Sequence, residues 1–158
     1  MATPTAALVL DSPLGPLTVL SAPTGLTELR FGHAGQAVPA GDPHGAGPAL
    51  VAWFAGALGA LDGLPLAPDG TLFQRAVWDR LRAVPAGQTT TYGELARALG
   101  SVRKARAVGQ ASATNPLPII VPCHRLVGRD DRLVGYTGGL EKKRWLLAHE
   151  GAPGFLVP

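Results

Sequence analysis

The sequence predicts an α+β protein: a small N-terminal antiparallel sheet plus one helix, followed by a mainly helical C-terminal domain with a helix-turn-helix. Short apolar, β-branched runs lie between residues 6 and 31, whereas apolar helical stripes with capping signals begin after residue 70. Acidic and basic side chains also separate near that point. We therefore expect two domains, residues 1–65 and residues 71–158.

The N-terminal part is predicted to form three short strands and one helix. The strands are AALVL, GPLTVL and LTELRF, at residues 6–10, 15–20 and 26–31. Residues 32–48 are too rich in Gly and Pro for regular structure, and the apolar stretch after them predicts a helix over residues 49–61. Residues 63–70, GLPLAPDG, are expected to link the two domains.

The C-terminal part begins with a capping box, in which Thr71 and Gln74 can each satisfy a backbone amide of the other. A helix is predicted to follow and to end before Pro85 and Gly87. Its apolar stripe comprises Phe73, Val77, Trp78 and Leu81.

Two further helices are predicted after this one. Thr91 and Glu94 repeat the capping-box spacing, and the helix that they begin is expected to end at Gly100. Ser101 can cap the next helix, which runs until Asn115 because the residue before a proline disfavours helical backbone. Two helices joined by so short a turn indicate a helix-turn-helix.

The composition bounds the class of protein. A chain of 158 residues that is 46% hydrophobic can bury an ample core. Its single cysteine excludes an internal disulfide, and without a C-x-x-C or His-x-His pair a zinc site is not expected, which favours a reducing cytoplasm. The N-terminus has no basic segment and only a five-residue apolar stretch, so neither a signal peptide nor a membrane span is expected.

The charge is divided unevenly along the chain. Residues 1–70 hold one basic side chain, Arg30, against five acidic ones, a balance of −4. Residues 71–158 hold thirteen Lys and Arg against six acids, a balance of +7. This asymmetry indicates that a polyanion meets the C-terminal part, although a merely solvated basic face would look the same.

The second helix of the pair carries cations first and small residues afterwards. These residues are Arg103, Lys104 and Arg106, then Ala105, Ala107, Gly109, Ala111 and Ser112. A helix with ordinary side chains is about 10–12 Å across, whereas the minor groove of DNA is only about 6 Å wide. Small residues would let this backbone press close to such a groove. The alternative, that they face another helix, stays open.

The only cysteine, Cys123, follows an apolar segment, residues 116–122, that is expected to be extended and buried. A structural, buried thiol is the alternative to a reactive one. Reactivity requires a lowered thiol pKa, and His124 and Arg125 are the adjacent candidates to supply it. In extended chain, neighbouring side chains point to opposite faces, so a bridging water is expected between thiol and imidazole, with Glu150 as the partner of His124.

Four segments in order, TYGELA, RKARAVGQASATNP, PCHR and GYTGGLEKKRWLLAHEG, make residues 71–151 strongly resemble the O6-alkylguanine-DNA alkyltransferases. The resemblance implies a helix-turn-helix of the winged-helix type and one irreversible transfer of a methyl or other alkyl group from guanine O6, and also from thymine O4, to the protein's own cysteine. It implies minor-groove binding to double-stranded DNA containing O6-alkylguanine, base flipping, no cofactor, no membrane and a monomer.

The same resemblance assigns roles to individual residues. It makes Cys123 the nucleophile, His124 the acceptor of the thiol proton through water, and Glu150 the residue that orients the imidazole. Asn115 would tie the segment before the cysteine to this network. Tyr92 would donate a proton or hydrogen bond to guanine N3 as negative charge develops on the base, which is the leaving group.

Further residues would bind the base and the DNA. Thr137 would present its backbone N–H to O6, Tyr136 would line the pocket with Lys143 nearby, and backbone carbonyls of Cys123 and Leu126 would read the guanine amino group. The DNA-binding residues would be Arg106, which fills the vacated stack, with Arg103, Lys104, Ala105, Ala107 and Gly109.

Two other classes stay open at this point. A damage-sensing relative would bind the lesion without accepting the alkyl group, and the presence of Cys123 argues against it. A Cys-His hydrolase needs thiol and imidazole in contact and donors for an acyl oxyanion, and adjacent Cys and His residues fit that arrangement poorly.

Overall fold

The computed structural model describes residues 4–33 and 40–155, and the chain divides into two compact units, Met1–Asp69 and Gly70–Pro158. The first unit contains a three-stranded antiparallel sheet of order β1-β2-β3. Its strands are β1 (Ala6–Leu10), β2 (Leu17–Ala22) and β3 (Gly25–Phe31). The α+β prediction is confirmed. The second strand begins two residues later than expected because a turn that Ser12 and Gly15 close with mutual backbone hydrogen bonds precedes it.

The first helix, α1 (Ala46–Phe54), differs from the prediction of residues 49–61 at both ends. It ends early because Gly56 adopts a φ of +110°, a left-handed conformation that stops a helix. It begins inside the Gly/Pro tract, directly after a single 3-10 turn over Pro43–Gly45, so that part of the tract is regular. Residues 34–39 of the tract lie outside the described residues.

The segment expected to be a linker is partly bound to the sheet. The N–H of Leu26 donates to the carbonyl of Pro65 at 2.8 Å, and Leu26 and Leu66 form an isolated parallel bridge. A side chain at Gly25 would place Cβ only 2.7 Å from that carbonyl oxygen, so glycine is required for this approach. Pairing at the edge of β3 therefore replaces the free linker that the Gly/Pro composition predicted.

The second unit is mainly helical. It contains α2 (Leu72–Arg82), β4 (Thr90–Thr91), α3 (Tyr92–Ala98), α4 (Ala105–Ala113), β5 (Leu126–Val127) and α5 (Leu140–His149), with β4 parallel to β5. Both predicted capping boxes are present, at Thr71–Gln74 and Thr91–Glu94. Within residues 4–33 and 40–155, no helix is long and apolar enough to cross a membrane.

The helix-turn-helix consists of α3 and α4. Gly100 turns the chain with a φ of +118°, and the Ser101 hydroxyl accepts a hydrogen bond from the N–H of Arg103 at 3.2 Å. Residues 102–104 form a 3-10 turn before α4, where the sequence predicted one continuous helix. The indole N–H of Trp78 donates to the carbonyl of Ala111 at 2.8 Å, so α2 fixes the position of α4.

The segment before the cysteine is buried as expected, but it is not extended. It folds into turns in which the N–H of Val121 donates to the carbonyl of Leu117 at 2.8 Å. Ile119 has a φ of +74°, which is unfavourable for a β-branched residue. Cys123–Arg125 then form a 3-10 turn rather than extended chain. Apolar composition correctly indicated burial here, but it does not distinguish a buried turn from a strand.

Candidate active site and DNA-binding helix

A cavity of about 430 Å³ in the second unit brings most of the expected site residues together. It lies between α3, α4, the cysteine turn, the loop before α5 and α5 itself. Its lining comprises Tyr92, Gly109, Ser112, Ala113, Cys123, Val134, Gly135, Tyr136, Thr137 and Lys143. Among the residues that the structure describes, no group of three or more His, Cys, Asp or Glu side chains could hold a metal ion.

The thiol of Cys123 is buried, with 4% of the residue exposed. Burial raises its pKa, while a hydrogen bond from Asn115 and the positive charge of Lys143 oppose that rise. The groups that favour the thiolate are therefore not the expected neighbours in sequence, His124 and Arg125. The expectation of a lowered thiol pKa is therefore wrong for the free protein, because burial gives a net upward shift and the thiol is protonated near neutral pH.

His124 faces Glu150 inside the protein. The two side chains are fully buried, and Nε2 of His124 lies 3.0 Å from Oε1 of Glu150. Burial lowers the pKa of His124 more than the carboxylate raises it, so the imidazole is neutral at pH 7 and can accept a proton. Neither ring nitrogen of His124 makes a well-aligned hydrogen bond in the described parts of the chain, but Nε2 faces Glu150, which leaves Nδ1 as the proton acceptor.

Arg125 neutralises Glu150, a contact that the sequence did not predict. Its Nε donates to Oε1 of Glu150 at 2.9 Å, its Nη2 donates to Oε2, and its Nη1 donates to the carbonyl of Val84. Burial alone would raise the pKa of Glu150, but the hydrogen bonds from Arg125 and His124 outweigh it and lower the pKa to about 2. A buried carboxylate needs a partner of opposite charge. This requirement was the signal in the sequence that could have indicated a cationic partner for Glu150.

Asn115 braces the turn that leads to the cysteine. Its Nδ2 donates to the carbonyl of Val121 at 2.9 Å, and its Oδ1 accepts from the N–H of Leu117 at 2.9 Å. The side chain therefore joins the end of α4 to the backbone just before Cys123.

Tyr92 forms one wall of the cavity. Its O–H donates to the carbonyl of Val134 at a long 3.3 Å, and burial, followed by the charge of Cys123, raises the pKa of the phenol. The ring packs over Gly109, where an added Cβ would come within 3.3 Å of the ring. Tyr92 is therefore a protonated donor with a weak internal acceptor.

The loop before α5 supplies further lining residues of the cavity. Tyr136 lines the cavity, with its hydroxyl buried and its pKa raised well above the ordinary value by that burial. Thr137 is exposed at the rim. Lys143 is buried, and burial lowers its pKa to about 8. Its ammonium donates to three backbone carbonyls, those of Leu126, Val134 and Gly135.

The cationic side chains of the helix-turn-helix lie on its surface. Arg103, Lys104 and Arg106 are exposed, and Lys104 also donates to the carbonyl of Leu99 at 2.7 Å. Ala105, Ala107 and Gly109 are half-buried, whereas Val108 and Ala111 point into the core. The small residues thus serve two purposes, because Gly109 approaches a side chain of this unit while the exposed face of α4 remains narrow.

Comparison with known proteins finds related sequences and structures. A sequence profile for the DNA binding domain of 6-O-methylguanine DNA methyltransferase matches residues 72–152. The methylated-DNA–protein-cysteine methyltransferase of Salmonella typhimurium is 49% identical over 127 residues, which cover 80% of this chain and 74% of the relative. The protein of that name from Methanosarcina acetivorans is 40% identical over 152 residues, 91% of this chain and 97% of the relative.

The fold is similar to that of a solved complex with DNA. The crystal structure of Mycobacterium tuberculosis OGT in complex with DNA matches with a TM-score of 0.82 and 41% sequence identity. The match covers 96% of this chain and 98% of that chain.

Proposed function

This chain belongs to the 6-O-methylguanine DNA methyltransferase family, and from that premise we propose that Cys123 is the residue that receives the alkyl group. The protein repairs alkylated double-stranded DNA by transferring the alkyl group to a cysteine. Cys123 is the only cysteine of the 158 residues, and it lines the one described cavity that also contains Tyr92 and Lys143. This coincidence is the observation that carries the assignment.

The reaction is a displacement at saturated carbon. Sγ of Cys123 attacks the alkyl carbon, the S–C bond forms as the C–O6 bond breaks, and the electron pair passes to O6 and the guanine ring. The thiol proton passes through a water to Nδ1 of His124, and the base receives a proton from the phenol of Tyr92. After the repaired base departs, Tyr92 regains a proton from solvent and the imidazolium releases one, so the protons balance. The products are intact guanine and a thioether, so each protein molecule reacts once.

The buried charges support this direction of proton transfer. Glu150, with a pKa of about 2, stays ionised and stabilises the imidazolium that forms on His124. Arg125 positions Glu150 and does not contact the thiol proton's path. Because the resting thiol is protonated, deprotonation accompanies attack on the bound base instead of preceding it.

Tyr92 stabilises the leaving group. A phenol with a raised pKa holds its proton until charge develops on the base, and its long hydrogen bond to Val134 is easily exchanged for one to guanine N3. The backbone N–H of Thr137 would donate to O6, and the carbonyls of Cys123 and Leu126 would accept from the guanine amino group. Tyr136 completes the lining.

The DNA-binding and alkyl-acceptor domain is residues 71–158, with α4 as the helix that enters the minor groove. Arg106 is exposed on this helix and would fill the stack that the flipped nucleotide leaves, at a cost of a few kcal/mol in lost pairing. Arg103 and Lys104 would contact phosphates. Activity on O4-alkylthymine, a monomeric state and a cytoplasmic location belong to the same proposal, and the lone cysteine suits a reducing compartment.

The test is a mass measurement. Purified protein is incubated with duplex DNA that contains one O6-methylguanine, and its intact mass and modified peptide are then determined. We expect a stoichiometric gain of one methyl group on Cys123 and none in Cys123→Ala. Tight binding with unchanged protein mass and unrepaired DNA would make the chain a damage sensor, and catalytic turnover without an adduct would make it a hydrolase.

A further inference from the structure

Lys143 is a cationic side chain in the lining of the cavity of the second unit, and only 1% of the residue is exposed. Its Nζ donates to the carbonyls of Leu126 at 2.6 Å, Val134 at 3.0 Å and Gly135 at 3.1 Å. An ammonium group has three protons to donate, so the three acceptors use its full capacity. No N–H of Lys143 is left for a substrate, which argues against direct binding of the base.

The three acceptors belong to two different segments of the chain. Leu126 begins β5, directly after the Cys123–Arg125 turn. Val134 and Gly135 lie in the loop that continues to Tyr136 and Thr137. That loop has little regular structure of its own, and Val134 is 47% exposed, so packing holds it weakly. Charge-assisted hydrogen bonds from one ammonium to both segments therefore fix the distance between them.

We propose that Lys143 is a positioning residue that sets the width of the base pocket by joining the Leu126 carbonyl to the Val134–Gly135 backbone. The inference rests on the proposed function, in which the Leu126 carbonyl reads the guanine amino group and the Thr137 N–H meets O6. These two groups belong to the two segments that Lys143 connects. Their separation decides whether the alkyl carbon is in line with Sγ of Cys123.

Val134 also links this clamp to Tyr92. The Val134 carbonyl accepts from both Nζ of Lys143 and the Tyr92 hydroxyl. The bond from the phenol is the longer of the two, at 3.3 Å against 3.0 Å for the ammonium. By fixing the Val134 carbonyl, Lys143 also fixes the acceptor that the Tyr92 hydroxyl uses before the base binds.

The test separates positioning from stability and from DNA binding. Lys143→Met keeps most of the side-chain volume without donors, and Arg144→Met removes a charge from the exposed neighbouring position of α5 as the matched control. Single-turnover transfer from O6-methylguanine DNA is measured against protein concentration. For Lys143→Met we expect the limiting rate to fall at least about tenfold, since a misplacement of about 1 Å can cost about 100-fold. The half-saturating concentration should change less than about twofold, because Lys143 is buried away from phosphates.

Chemical rescue distinguishes the hydrogen-bond donors of the Lys143 ammonium from its positive charge. Lys143→Ala lacks three carbons and the ammonium, which propylammonium can replace. Propyltrimethylammonium at the same concentration supplies the charge and ionic strength without an N–H. We expect propylammonium alone to restore the limiting rate in a saturable way.

Several outcomes would overturn the proposal. One is a limiting rate in Lys143→Met within twofold of wild type, and another is a loss confined to DNA affinity. A third is equal rescue of Lys143→Ala by propylammonium and by propyltrimethylammonium. If both variants are unfolded by circular dichroism, isotope-labelled lysine in the wild type decides by NMR. A protected Nζ signal coupled to the three carbonyls, and shifted on methylation of Cys123, supports the clamp, whereas rapid exchange contradicts it. Failure of the wild type itself to accept methyl would instead refute the proposed function.

Discussion

Gly109→Ala is expected to separate the stability of this protein from its activity. A Cβ at position 109 would lie 3.3 Å from Cε1 and 3.6 Å from Cδ1 of Tyr92. Since carbon atoms pack at about 3.5–4.0 Å, the ring must retreat by about 0.2–0.7 Å. Its hydroxyl already makes a long 3.3 Å bond to Val134, so this displacement misplaces the proton donor.

The substitution should not destabilise the fold. Alanine is better than glycine by about 0.8–1 kcal/mol in a helix interior, which offsets the contact with the ring. The transfer rate at saturating DNA should fall about tenfold, part of the 100- to 10,000-fold that a positioned general acid contributes. Gly93→Ala is the control, because nothing lies within 4 Å of a Cβ at that helical position. It should be stabilised and retain the wild-type rate.

Single-turnover kinetics and urea unfolding of Gly109→Ala, Tyr92→Phe and the double variant form the assay. In the Tyr92→Phe background, Gly109→Ala should slow transfer no further, because the donor is already lost. An unchanged rate in the single variant would refute the reasoning. An equal loss in both backgrounds would show that Gly109 matters for close approach to DNA and not for Tyr92.

Three further predictions concern stability and DNA binding. The pKa of Glu150 falls from 4.5 to about 2 on folding, so its ionisation contributes about 3 kcal/mol above pH 4.5 that is lost as the pH falls toward 2. Unfolding in urea at stepped pH should show that loss in the wild type and not in Glu150→Gln. Ile119→Gly should be more stable than Ile119→Ala by about 1 kcal/mol in thermal denaturation, because a φ of +74° reverses the usual order; the usual order would contradict the left-handed conformation. Arg103→Ala should reduce the salt dependence of DNA affinity by about 0.9 in log–log slope, as one lost phosphate contact requires, whereas Arg106→Ala should mainly lower the limiting transfer rate. Anisotropy titrations at several salt concentrations test the Arg103→Ala prediction. Identical slopes in wild type and Arg103→Ala would count against a phosphate contact.

The parts of the fold that depend on near neighbours were predictable. Both capping boxes join residues only three positions apart, so the starts of α2 and α3 could be located from the sequence. Helix α1 was placed wrongly because its apolar residues continue past Phe54, whereas Gly56 ends the helix through its backbone conformation. The segment at 116–122 was also misjudged, since Asn115 bonds to its backbone at two points and folds it into turns.

The candidate site shows the same division. The family resemblance indicated Cys123, His124 and Glu150, and the structure brings His124 and Glu150 to 3.0 Å. The part played by Arg125 was missed because the prediction paired Glu150 with His124 alone, and the second partner of the carboxylate became visible only in the structure. The three acceptors of Lys143 are backbone carbonyls, which every residue has, so no sequence pattern could single them out.

The sequence by itself determined which atoms are present for the chemistry: one thiol in 158 residues, a slim cationic helix and a basic C-terminal half. Only the tertiary structure decided which side chains of the site are protonated and which groups they face. Burial raises the pKa of Cys123 and lowers that of His124, while Arg125 holds Glu150 ionised. Such shifts depend on desolvation and on charges that folding brings within hydrogen-bond distance, and these arise only when distant segments pack together.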